Sequence, residues 1–198
     1  MKRNKIVYKL TDENGRTYNG TQWGPGISHS GTGDGELCGP GFIHYYDDAL
    51  LAVLLNPIHA DFKNPRLWES KPSGKTKQDN GLKSGSRTLK TIREIPLPVV
   101  TTEVRIAFAI YCALECSVSD SFRVWAERWL SGEDRSVGSA EQAARAAWAA
   151  AAEQATAEQA TAARAAARAA AAAEQNKKFS LVELAQKALK HEQQHISN

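Results

Sequence analysis

Cysteine is scarce. The three present, Cys38, Cys112 and Cys116, cannot all pair and match no zinc-ligand spacing. That argues against a disulfide framework and a zinc finger and favours a reducing compartment. Long apolar runs are also missing. Outside an alanine-rich segment the longest is Ile106 to Leu114, far short of the roughly 20 residues that cross a bilayer. The basic start, Met1-Lys-Arg-Asn-Lys5, leads into no apolar segment, so no secretory signal is expected. Excess charge is lacking too. Twenty-five Lys and Arg against 22 Asp and Glu leave a net charge of +3, which gives no bulk argument for nucleic acid. What remains is a 198-residue chain of mean hydropathy −0.45. That is enough for one core, or for a small domain with an appendage.

Composition breaks near Gly138. All seven prolines and all fourteen glycines lie at or before that residue, and from Ser139 to Gln175 alanine supplies 22 of 37 residues. The break divides the chain into an α+β head, 1–138, and a helical part, 139–198. In the head, Ile6–Leu10 reads as a strand stopped by Asp12-Glu-Asn-Gly15, with Thr17–Trp23 returning as a hairpin. Gly24–Gly41 holds seven glycines and two prolines and reads as a long functional or mobile loop. Gly41–Tyr46 reads as a strand. Asp47 can cap a helix over Asp48–Leu55, ended by Asn56-Pro57. Leu67–Glu69 and Arg87–Leu97 read as strands, with a turn at Lys71-Pro-Ser-Gly74 between them. Helices are expected from Thr102, apolar nearly all round and hence buried, and from Ser119 or Asp120 to Gly132.

Alanine has the strongest helix propensity. The segment from Ser139, opened by the capping box Ser139-Ala-Glu-Gln142, is therefore expected to form a long helix of about 55 Å. Trp148 is its lone bulky anchor for oligomerisation. Ser180-Leu-Val-Glu183 opens a short amphipathic C-terminal helix. The expected architecture is thus a β-rich N-terminal head with a few helices, a long alanine-rich helix and a short final one.

Several motifs suggest chemistry and lack its context. His191-Glu-Gln-Gln-His195 has the zinc-protease spacing, but only three residues follow it, leaving no downstream third ligand. Ser73-Gly-Lys-Thr76 resembles the end of a phosphate loop but leads into more loop rather than a helix. Charge is more telling locally. Lys63 to Arg93 carries nine basic and two acidic residues, a basic face suited to a phosphate-bearing ligand, with Arg66, Arg87 and Arg93 as the forked groups that hold an anion. His44, Tyr45, Tyr46 and His59 flank one short helix and could line a pocket. Trp23, His44 and Trp68 are the candidates for stacking. The ordinary alternative is a solvated basic surface over a packed aromatic core.

The blocks Gly35-Glu-Leu-Cys-Gly-Pro-Gly-Phe-Ile-His-Tyr-Tyr46, Leu50 to Glu69 and Thr91-Ile-Arg-Glu-Ile-Pro-Leu97, followed by an alanine-rich segment, resemble a family of uncharacterised proteins from tailed phages and prophages. More distantly, the order of strand, glycine loop, Gly41-Phe-Ile-His44, helix and the Leu67-Trp-Glu and Ile92-Arg-Glu94 strands looks like ADP-ribosyltransferase-type folds. That likeness implies a nicotinamide-dinucleotide scaffold with Glu94 as the acid, although no Glu-x-Glu is present. The expected function is stoichiometric binding in the cytoplasm of a bacterial host, by a phage accessory protein that inhibits a host defence protein or sequesters a small anionic nucleotide. No metal or cofactor is expected, and no membrane; a homo-oligomer formed through the helical region is. The alternatives are an ADP-ribosyltransferase-like enzyme and a structural virion protein.

Overall fold

A computed structural model describes residues 5–79, 81–115, 120–136, 138–139 and 180–196. They form strands β1 (Val7–Thr11), β2 (Arg16–Thr17), β3 (Thr21–Gln22), β4 (Ser28–Ser30), β5 (Ile43–Tyr45), β6 (Arg66–Asp79) and β7 (Lys83–Ile95). The helices are α1 (Ala49–His59), α2 (Thr102–Leu114), α3 (Asp120–Ser131) and α4 (Leu181–Ile196). The chain packs as two units, Met1–Arg105 with Ser180–Lys190, and Ile106–Phe179 with His191–Asn198.

The mixture of sheet and helix is α+β, but the architecture expected from the sequence is corrected. None of the four described helices is long and alanine-rich, and the described helix of the C-terminal region is α4. Residues 140–179, with Trp148, lie outside the described residues. The expectation weighed alanine's propensity, and a methyl group buries too little surface to organise a fold. Larger side chains build the described core.

The first unit is organised by the antiparallel hairpin β6–β7. β1 pairs with the first half of β6, from Val7 opposite Ser70 to Thr11 opposite Arg66. β5 and β4 share the far edge of β7, at Ser84–Ser86 and Thr88–Lys90 respectively. The sheet then closes on itself. Tyr8 and Tyr46 exchange two backbone hydrogen bonds of 2.8 Å, so β1, β6, β7 and β5 form a ring. Two register shifts, at Glu69/Ser70 and Ser73/Thr76, supply the curvature that closure needs. The expected turn at Lys71–Gly74 is the second of these shifts: Gly74 has φ +78° and the chain stays in the strand. Val7, Trp23, Tyr45 and Leu89 pack together in the core with Ile43 against them.

The helix α1 lies against β1 and is buried from Leu50 to Asn56. Its N-cap is Asp48, whose carboxylate accepts from the Leu51 N–H at 2.9 Å. Asn56-Pro57 does not end it. Pro57 sits in the last turn, where the carbonyl it cannot serve, that of Val53, accepts from the Arg105 guanidinium at 3.4 Å. The chain leaves α1 through Asn56, whose side-chain amide donates to the Phe62 carbonyl at 2.9 Å and accepts from the Phe62 N–H at 3.2 Å. α2 is capped by Thr101 rather than Thr102. It is amphipathic rather than buried all round: Val104 and Ala107 are fully buried, while Ile106 is exposed.

In the second unit, Arg135 lies over the Trp129 ring at 4.7 Å, and buried His191 packs 6.2 Å from the same ring. Among the described residues no helix is long and apolar enough to cross a membrane, and no cluster of three His, Cys, Asp or Glu side chains is placed to hold a metal ion.

Candidate functional site

Strand alternation puts Lys9 on the same face of β1 as the core residue Val7. An ammonium is thereby carried inward beside aromatic rings. Its Nζ donates to the His44 carbonyl at 2.9 Å and lies 5.2 Å from the centroid of the Trp23 ring. No carboxylate pairs with it among the described residues. Loss of solvent pushes the ammonium down to about 8, because burial penalises the charged form.

Lys9 lines a cavity of about 290 Å³. β5 brings His44 and Tyr45 to its wall, Tyr46 follows it at the bridge to Tyr8, the end of α1 brings His59, and the first residue of β7 brings Lys83. Tyr18 and Phe62 add aromatic surface, and no Asp or Glu takes part. His44, Tyr45, Tyr46 and His59, neighbours of one helix in the sequence, all line this cavity, and Tyr45 is also part of the core cluster.

The two histidines are held differently. His44 Nε2 lies 2.5 Å from the Leu37 carbonyl; an acceptor there requires the proton on Nε2. Burial lowers the His44 pKa, the hydrogen bond to Leu37 opposes this, and the charges of Lys9 and Lys83 lower it further. The Tyr46 hydroxyl, pushed up to about 12 by burial, stays protonated and shares a hydrogen bond of 3.0 Å with His59 Nδ1. The two rings lie within 15° of parallel. His59 is lowered by burial and then by Lys83, with Asp79 opposing. Both imidazoles are thus held neutral near pH 7 by a wall that already carries positive charge.

The other sequence candidates lie elsewhere. Trp23 is buried at 3% exposure, its Nε1 donating to Thr17 Oγ1 at 2.9 Å. Trp68 is buried at 1%, donating to Thr11 Oγ1 at 3.0 Å. Neither offers a face to an incoming ring. Arg66 makes a bidentate pair with Glu94 and lies over Trp68. The acid to which the transferase likeness points is therefore held outside the cavity by a guanidinium, whose hydrogen bond is the first cause of its lowered pKa. Arg93 forks onto Glu69 at 2.8 and 3.0 Å. The stem of Arg87 runs past Gly33 and Gly74, where an added Cβ would meet it at 3.1 Å. Of the basic stretch Lys63–Arg93, only Lys83 reaches the cavity. Lys75 and Lys77 pair at 3.5 and 3.4 Å with Asp34 and Glu36 of the glycine-rich segment, which returns negative charge to that face. Cys38 is exposed, while Cys116 lies outside the described residues.

Sequence reasoning missed Lys9. Its signal is present in Val7-Tyr-Lys-Leu10: a cation occupies the inward register of a strand whose neighbouring inward position is valine. No protein-family model matches the chain, and neither a curated protein nor a solved structure does.

Proposed function

We propose that the chain acts by stoichiometric binding and that its ring of strands takes a small anionic nucleotide into the Lys9 cavity. One observation carries this reading: the wall presents Lys9, Lys83, His44 and His59 and no carboxylate. Such a lining attracts phosphate and has no group that repels it. A volume of about 290 Å³ stands at the small end of ligand pockets and suits a mononucleotide better than a dinucleotide. Tyr18, 87% exposed on the 3-10 turn Tyr18–Gly20, offers a free ring at the rim for a base. Sequestering a nucleotide signal in a bacterial host is the role this chemistry serves in the phage setting implied by the resemblance.

The test is calorimetric titration of the full chain with a panel of mono-, di- and cyclic nucleotides. Binding of at least one is expected. Lys83→Ala should weaken it about tenfold or more, as loss of a charged hydrogen bond costs about 1.5–3 kcal/mol. Failure of every nucleotide to bind, or unchanged affinity in Lys83→Ala, refutes the reading.

A further inference from the structure

Binding an anion does not use all that Lys9 offers. Its Nζ is held by one backbone carbonyl, lies near an indole face and opens onto a cavity. Most lysines lack this setting: Lys71 and Lys90, for instance, are exposed on the strands. A buried amine without a counter-charge is the ordinary device for making lysine a nucleophile. With its ammonium at about 8 rather than 10.5, Lys9 holds roughly 300-fold more free amine near pH 7 than an ordinary lysine.

We propose that Lys9 is a covalent attachment site for small anionic aldehydes, captured as an imine inside the cavity. The Nζ lone pair attacks the carbonyl carbon and the C=O π pair moves onto oxygen. A proton passes from nitrogen to that oxygen, giving a carbinolamine. The hydroxyl then leaves as water, taking a second proton, and nitrogen forms the C=N bond. Amine and aldehyde become imine and one water, with no change of oxidation state. Tyr46 and His59, hydrogen-bonded to each other on the same wall, are the groups at hand for the proton transfers. Lys83 holds the anionic end. The inference rests on the nucleotide-cavity reading for the charge of the aldehyde, while the reactivity of the amine stands apart from it.

The experiment treats the full chain with limiting pyridoxal 5′-phosphate, traps the imine with borohydride and maps labelled peptides by mass spectrometry. Lys9 should carry about tenfold more label, or greater, than Lys71 or Lys90. Lys9→Arg, checked for folding by circular dichroism, should lose the visible absorbance of the imine. Label spread evenly over exposed lysines, with Lys9 no faster than the others, overturns the inference. A parallel arm with uncharged propionaldehyde separates the two proposals. Lys9 labelling by propionaldehyde, in a chain that binds no nucleotide, upholds the amine and removes the nucleotide. Nucleotide binding with Lys9 left unlabelled by both reagents upholds the cavity and removes the imine.

Discussion

Titration of Lys9 should be visible in the stability of the whole first unit. The ammonium moves from 10.5 to about 8 on folding, and each pH unit of such a shift is worth 1.36 kcal/mol. The partly buried charge therefore costs at most about 3 kcal/mol at neutral pH. The folded pKa is the lower of the two, so between pH 8 and 10.5 the unfolded chain binds more protons than the folded one, and stability rises with pH. It is fullest above 10.5 and falls away as pH drops through about 8. Between pH 7 and 9.5 the Lys9 contribution should grow by roughly 2 kcal/mol. Tyr45 and Tyr46, both pushed up to about 12, act in the opposite sense only above pH 10, so the window is clear of them. The assay is urea unfolding of the wild type and Lys9→Met at pH 7, 8 and 9.5, followed by tryptophan fluorescence. Apart from His44, whose pKa the Lys9 charge helps to lower, the other titrations are shared, so the difference between the two proteins reports chiefly on Lys9. It should tilt toward the wild type by about 2 kcal/mol across the window. Parallel curves would refute the claim that the ammonium is desolvated in the ring.

Two further substitutions probe the frame around the cavity. Gly41→Ala would place a Cβ 1.8 Å from the Asp34 carbonyl oxygen. It should abolish soluble expression, whereas Gly20→Ala, in open space at φ +70°, should cost only about 1–2 kcal/mol in a urea midpoint. Asp48→Ala removes the α1 cap and should lower Tm by roughly 2–4 °C for about 1 kcal/mol, with Asp48→Asn restoring most of it in a thermal melt.

The elements legible in the sequence were those with a local cause. The strand before Asp12-Glu-Asn-Gly15 and the Ser180 cap of α4, whose hydroxyl accepts from the Glu183 N–H at 3.3 Å, rest on side chains acting within a few residues; the cap of α1 falls one residue later than expected, on Asp48 rather than Asp47. The errors arise where a distant group decides. Pro57 stays helical because Arg105 serves the stranded carbonyl of Val53. Lys71-Pro-Ser-Gly74 stays extended because β7 lies alongside. The site divides in the same way. His44, Tyr45, Tyr46 and His59 were readable as neighbours of one helix, whereas Lys9 and Lys83 reach the wall only through strand pairing. The arginines looked free in sequence, and two of them, Arg66 and Arg93, are taken by Glu94 and Glu69 across the hairpin. Local charge counting does not foresee that register.

The ring also sets an order of assembly. Val7 pairs with Ser70, 63 positions later in the chain, and Tyr8 with Tyr46. β1 therefore has no complete set of strand neighbours until Arg66–Ser70 of β6 has been synthesised. Such long-range pairing slows folding and leaves a nascent strand exposed meanwhile. The inward lysine gives that waiting strand a charge between Val7 and Thr11, which discourages premature association with other newly made chains.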